Sequence, residues 1–166
     1  MTIPDTHAHL IALLNRYQAR YKLLKHQCEG RSQEVSKIRG TDPFQAMKAI
    51  VLAVRGGGNH RRDIMAVIPG TRRLDMKALL ANVGAQKGRF PTLNEVNNLT
   101  GCVSGAIPPF TFRKELILIV DEHFRNLDEV AFNAGRLDRS IIMNFEDYVS
   151  IARPAFTSFS YADVDH

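Results

Sequence analysis

Lys48 is the residue with the clearest opportunity for chemistry. It stands directly before an unbroken apolar run, residues 49–54, in the stretch FQAMKAIVLAV. A lysine entering an apolar strand either snorkels to the surface or projects into a cleft. In a cleft its ammonium can hold an anionic group such as a phosphate, or stabilise negative charge building on a carbonyl oxygen. The segment GCVSGAIPPF (101–110) offers a complementary capacity. Gly101 and Gly105 let a backbone approach a ligand closely, and irregular backbone can aim N–H groups at it. The same residues also suit a plain surface loop.

Other chemistries find less support. Among the six histidines, His7 and His9 are two apart on a predicted helix and diverge. No HExxH or CxxC pattern occurs, so neither a metal nor an organic cofactor is expected. The two cysteines, Cys28 and Cys102, read as reduced, partly buried thiols. There is no GxSxG elbow. The carboxylates Asp121 and Glu122, like Asp128 and Glu129, are sequence neighbours and diverge on a strand, which suits surface charge better than acid–base pairing. The glycines at 56–58 lack the GxxxxGK[ST] wording of a P-loop and read as a hairpin tip.

The elements that must position Lys48 follow from periodicity. A helix is expected over about 5–18, capped by Asp5 or Thr6, with a short strand over 21–26. A short helix within 29–43 turns Val35 and Ile38 inward and breaks at Gly40 and Pro43. Two apolar runs, 48–54 and 63–68, form a hairpin about the Gly-rich tip. A helix over 74–84 ends at Gly84. Thr92 and Glu95 have capping-box spacing for a helix over 92–101. Residues 114–124 read as a strand, and 129–145 as two strands about Ala134 and Gly135. Asn144 caps a last helix that stops before Pro154. Strands and short helices without regular βα alternation indicate an α+β fold with a mixed sheet.

The 166 residues suit one domain, 1–166. Apolar residues at 45% and charged residues at 23% suit a globular chain rather than a disordered one. No apolar stretch approaches about 20 residues, and the N-terminus lacks signal-peptide wording. A cytoplasmic protein without membrane contact is therefore expected. The net charge is +5. Arg55, Arg61, Arg62, Arg72 and Arg73 form a basic stripe that could bind a polyanion or serve as a solvated surface.

Taken in order, AMKAIVLAV, TGCVSGAIPPF and FNAGRLDRSIIMNFEDYVSIARP resemble the YbaK/ProX-type aminoacyl-tRNA deacylases. That family includes the editing insertion of bacterial prolyl-tRNA synthetases, and the wording is most similar to its YeaK-like branch. The resemblance covers about 8–156. It implies a strongly curved mixed sheet with flanking helices and one central cleft. It also implies hydrolysis of the ester joining a wrong amino acid to the 3′ end of tRNA. Lys48 matches the family's essential lysine, and Gly101 and Gly105 match its substrate-contacting loop. Ile107, Pro108, Pro109 and Phe110 belong to the same loop and would shape the cleft wall. Asn133, Ala134 and Gly135 match the segment facing the aminoacyl group. Some members carry serine or histidine where this chain has Asn133, a position around which amino-acid choice varies. His26 aligns loosely with a polar cleft residue.

Phe44 and Met47 flank Lys48 and are candidate pocket walls, though both also suit core packing. An aminoacyl ester is already activated, and the neighbouring ribose hydroxyl can help activate water. The protein then needs to orient the ester and supply donors to the oxyanion. The resemblance implies tRNA as partner, with a synthetase as a further candidate, and serine, threonine or alanine as the amino acid removed. The basic stripe would add tRNA affinity. The alternatives are a non-catalytic tRNA- or nucleotide-binding module of the same fold, and a hydrolase of other small acyl esters.

Overall fold

The apolar run behind Lys48 becomes an inner strand of the largest sheet. In the computed structural model, which describes residues 5–56, 58 and 60–163, β2 (Met47–Arg55) pairs antiparallel with β3 (Arg61–Pro69). Their register runs from Met47 opposite Pro69 to Arg55 opposite Arg61. Alternation sorts the two strands into two apolar layers. Met47, Val51, Met65 and Val67 enter the larger core cluster. Leu52, Val54, Ile64, Ala66 and Ile68 enter a second cluster on the opposite face.

Three further strands complete this mixed sheet. β5 (Lys87–Arg89) lies antiparallel on the outer edge of β2. β6 (Leu116–Asp121) runs parallel to β3, and β9 (Ala155–Thr157) runs parallel to β6. A second, antiparallel sheet has the order β1 (Tyr21–Lys25), β8 (Arg139–Asn144), β7 (Glu129–Asn133). A parallel bridge between Ala46 and Ala131 joins the two sheets just before Lys48. A third pair joins β4 (Arg72–Leu74) to β10 (Ser160–Ala162).

Helices close both layers. α1 (Thr6–Arg16) buries Leu10 and Leu14, and α5 (Phe145–Ala152) buries Phe145 and Tyr148, in the larger cluster. α3 (Met76–Val83) covers the other face with Leu79, next to Phe159. α2 (Ser32–Arg39) and α4 (Leu93–Thr100) are short and flank the mouth of the central cleft described below. The caps expected from sequence form: Thr92 and Glu95 make a reciprocal box, and Asn144 accepts from the Asp147 N–H. None of the described helices is long and apolar enough to cross a membrane.

Several expectations are revised. The α+β class with a mixed sheet holds, but the strands divide among three sheets. The hairpin is longer than its apolar runs, and its tip residues Gly57 and Asn59 lie outside the described residues. The helix over 74–84 begins at Met76, because Asp75 caps it and Leu74 belongs to β4. The strand over 114–124 ends at Asp121, which is fully buried rather than a surface charge. Its carboxylate accepts the N–H groups of His123 and Phe159 and so pins the end of β6 to the chain approaching β10. Of the cysteines, Cys102 is buried and Cys28 is exposed. In α2 it is Val35 and Arg39, not Ile38, that turn inward.

The segment 108–110 is anchored in the larger core. The Tyr148 hydroxyl, fully buried, donates to the Pro109 carbonyl at 2.6 Å, and the Phe110 ring packs edge-on against Phe132 and Tyr148. Replacing Tyr148 by Phe leaves that carbonyl unsatisfied, which costs about 1–3 kcal/mol. We expect the urea midpoint of Y148F to fall with its slope unchanged; an unchanged midpoint would show that water replaces the hydroxyl.

Candidate active site

A cleft of about 340 Å³ opens where β2 leaves the sheet junction. Residues 46–51 form one wall, and Ser104, Gly105 and Ile107 face them from the loop after α4. Val35, Arg39 and Asn133 lie at its floor, while Phe90 and Leu93 form a lip. The lip is open, with Phe90 64% and Leu93 75% exposed, whereas Arg39 and Asn133 are only 9% and 5% exposed. Among the described residues lining the cleft there are two cations, Lys48 and Arg39, and no carboxylate.

Lys48 is exposed at the cleft mouth and belongs to none of the ion pairs among the described residues. The alternation that buries Met47 turns Lys48 outward on the neighbouring face. Its ammonium is thus free to meet an anionic or oxyanionic group.

The facing loop is built around Gly105. The Ala106 N–H donates to the Val103 carbonyl at 3.1 Å, closing a turn in which Gly105 has φ +86°. That value is the one a type II turn requires at its third residue. A Cβ at Gly105 would also lie 3.0 Å from the Gly30 Cα and 3.3 Å from its carbonyl oxygen. Both conformation and space therefore demand glycine.

Asn133 fixes this loop to the opposite side of the cleft. Its Nδ2 donates to the Glu29 carbonyl at 2.8 Å and the Gly105 carbonyl at 2.9 Å. Its Oδ1 accepts from Arg39 Nη2 at 2.9 Å and lies 3.0 Å from Ser140 Oγ. Arg39 Nε also donates to Ser140 Oγ, at 2.8 Å. His26 lies one step behind: Nδ1 donates to the Gln27 carbonyl, and a neutral ring then offers Nε2 to the Ser140 hydroxyl at 2.7 Å. Ser140 has one hydroxyl proton and two acceptors in reach, Asn133 Oδ1 and His26 Nε2. Burial pushes the Arg39 guanidinium down to about 10, so it stays charged at neutral pH.

The residues expected from sequence divide into two groups. Lys48, Met47, Gly105, Ile107 and Asn133 line the cleft. Gly101, expected in the substrate loop, instead ends α4 with φ +71° as its C-cap and does not line the cleft. Pro108, Pro109 and Phe110 are buried behind the wall. Ala134 is buried, with its carbonyl bonded by His7 Nδ1 at 2.6 Å, and the Gly135 N–H donates to the Ala106 carbonyl at 2.9 Å. Gly135 thus braces the glycine loop from behind. Phe44, in a short 3-10 turn, lies outside the lining. Sequence reasoning missed Arg39, Ser140 and the lip. Phe90 and Leu93 carried one usable signal, two large apolar residues beside a helix start.

The basic stripe is mostly committed within the fold. Arg61 pairs with Asp63 at 2.9 Å and with Glu95 at 2.8 Å. Arg62 donates to the Val83 carbonyl, Arg72 donates to Ser160, and Arg73 pairs with Asp163 at 3.1 Å. Glu95 is shared with Arg89; that bond, with the Thr92 N–H and Arg61, holds its carboxyl down at about 2. Arg55 and Arg73 remain exposed.

Fold and cleft define an α+β protein with a cleft between a strand lysine and a glycine turn, with no carboxylate among the described lining residues. Residues 28–151 match the aminoacyl-tRNA editing domain family. The chain belongs to that family, whose domains hydrolyse the ester between tRNA and a wrong amino acid. It is 40% identical over 155 residues to the multifunctional Ser/Thr-tRNA deacylase ProXp-y of Escherichia coli, covering 93% of this chain and 92% of the relative. It is 23% identical over 129 residues to EbsC of Enterococcus faecalis, a candidate Cys-tRNA(Pro)/Cys-tRNA(Cys) deacylase, covering 78% of this chain and 76% of EbsC. A crystal structure of a candidate trans-editing enzyme for prolyl tRNA synthetase shares the fold, with TM-score 0.80, 19% identity, and coverage of 97% of this chain and 100% of the other.

A Gly105→Ala substitution tests the site geometry. An L-residue in left-handed backbone costs about 1–2 kcal/mol, and the new Cβ presses on backbone that cannot rotate away. We expect a lower melting temperature and at least about a tenfold loss of ester hydrolysis, as misplaced reacting groups produce. Full activity in G105A would mean that the turn does not contact the substrate.

Proposed function

We propose that this chain is a trans-acting, cytoplasmic deacylase that removes serine and threonine from wrongly charged tRNA. The single observation that carries the reading is the cleft itself: Lys48 at its mouth faces the Gly105 turn across a lining free of carboxylates. The 40% identity to a Ser/Thr-tRNA deacylase over almost the whole chain supports the choice of amino acids.

The reaction is addition of water to the ester carbonyl and expulsion of the ribose hydroxyl. Lys48 holds the phosphate or the ester oxygen of the acceptor end, and the backbone about Gly105 fixes the carbonyl's position. The ribose hydroxyl beside the ester helps to orient or activate water. Positioning and oxyanion stabilisation then supply the acceleration without a protein nucleophile. Apolar walls from Val35, Met47, Val51 and Ile107 bound the side chain. A small pocket excludes larger amino acids better than it separates small ones. A synthetase that delivers the mischarged tRNA is a candidate partner.

The test is hydrolysis of Ser-, Thr-, Ala-, Cys- and Pro-charged tRNA by the wild type and by Lys48→Ala. We expect Ser- and Thr-tRNA to be cleaved and the variant to lose at least about 100-fold in kcat/KM, the scale of removing one oxyanion donor, with its melting temperature preserved. Undiminished turnover in K48A would remove Lys48 from the mechanism. Binding of tRNA by the wild type without hydrolysis would favour the non-catalytic module.

A further inference from the structure

The cleft floor holds a charge without a counter-ion. Arg39 is 9% exposed, and none of the ion pairs among the described residues involves it. Its two protein partners, Asn133 Oδ1 and Ser140 Oγ, are neutral. A guanidinium has five N–H donors, and those two bonds leave Nη1 without a described partner. No Arg39 nitrogen is sealed from solvent unpartnered, so Nη1 keeps contact with water, and Arg39 is among the residues lining the cleft.

Filling the cleft replaces that water. An apolar side chain strips a buried cation and returns no acceptor, which a binding site tolerates poorly. A cationic side chain is repelled. The α-ammonium, present in every aminoacyl ester, is itself kept away from Arg39, which leaves the side chain to approach the floor. A short side chain ending in oxygen restores the lost hydrogen bond, and the walls at Val35 and Ile107 accommodate an added methyl.

We infer that Arg39 selects hydroxyl-bearing aminoacyl groups, its free N–H groups donating to the side-chain oxygen of a seryl or threonyl ester. This rests on the proposed deacylase activity and assigns its specificity to one residue. A site built to hydrogen-bond a substrate hydroxyl discriminates against the analogue lacking it far more than an apolar pocket does, by up to about 10⁴-fold. Asn133 and Ser140 keep the guanidinium plane fixed, so Arg39 cannot swing out to the rim.

The experiment compares kcat/KM for Ser- against Ala-tRNA, and for Thr- against Val-tRNA, in the wild type, Arg39→Met and Arg39→Lys. Circular dichroism and melting check each variant's fold. In R39M all values fall as Asn133 loses a partner, but we expect the Ser- and Thr-tRNA values to fall at least about tenfold further than the Ala- and Val-tRNA values, so that both ratios collapse. R39K keeps the charge and should retain part of each ratio; it carries the test if R39M does not fold. Equal losses on Ser- and Ala-tRNA would overturn the inference and leave Arg39 only a support for Asn133. A wild type inert on Ser- and Thr-tRNA but active on another charged tRNA would overturn the proposed amino-acid range, and this inference with it.

Discussion

The carboxamide of Asn133 holds two distant stretches of backbone at a fixed distance, and the cleft exists because of it. Its Nδ2 reaches the carbonyls of Glu29 and Gly105, from segments that also approach closely at Gly30 and Gly105. A carboxylate of the same shape could not donate to either carbonyl. Burial of the amide makes the arrangement demanding, since a missing partner leaves a desolvated polar group. Arg39 fills its Oδ1, and that bond fixes which end of the amide faces the loops. The glycine turn is therefore irregular in conformation without being loose. The Gly135 N–H and the Tyr148 hydroxyl hold the same segment at Ala106 and Pro109.

The other side of the cleft depends on strand register. β2 lies between β5 and β3 with apolar layers on both of its faces. A slip of one residue would send Lys48 into the place of Met47, which is 4% exposed, and bury an ammonium among apolar groups. The long antiparallel pairing with β3 prevents the slip. On the proposed reading, a rigid strand and a clamped turn together would give what an activated ester needs from a protein, fixed donors about a reacting carbonyl.

Much of this was legible where local chemistry decides the structure. Thr92 with Glu95 and Asn144 announce helix starts because a cap satisfies backbone donors within a few residues. The β2–β3 hairpin follows from two apolar runs. The strands β4, β5, β9 and β10 are three residues each and owe their existence to a partner strand, so they leave no periodic trace. Arg39 was hidden for a related reason. Polarity patterning turns every charge outward and every isoleucine inward, yet in α2 the inner positions are Val35 and Arg39, spaced by one turn, while Ile38 is 38% exposed. Only the tertiary partners Asn133 and Ser140 make a buried guanidinium acceptable there. Asp121 is the same case with the sign reversed. Gly101 is the converse, a residue expected at the ligand whose left-handed backbone ends a helix outside the cleft lining, a role that glycine takes after many helices.

Charge placement bears on how such a domain would meet tRNA. The net charge of +5 suggests a broad attractive surface, but Arg61, Arg73 and Arg89 are each paired to a carboxylate. A paired arginine contributes little to long-range attraction and releases few counter-ions from a phosphate backbone. The cations left without carboxylate partners include Lys48 and Arg39, and these line the cleft. Two of the unpaired cations thus stand in the cleft that the acceptor end would enter on the proposed reading. Recognition on that reading would centre on the charged 3′ end and its amino acid, with less drawn from the rest of the tRNA. That division suits an editing domain. Its discrimination must lie in the aminoacyl group, which tight binding to the tRNA body, common to correct and incorrect charging alike, would not improve.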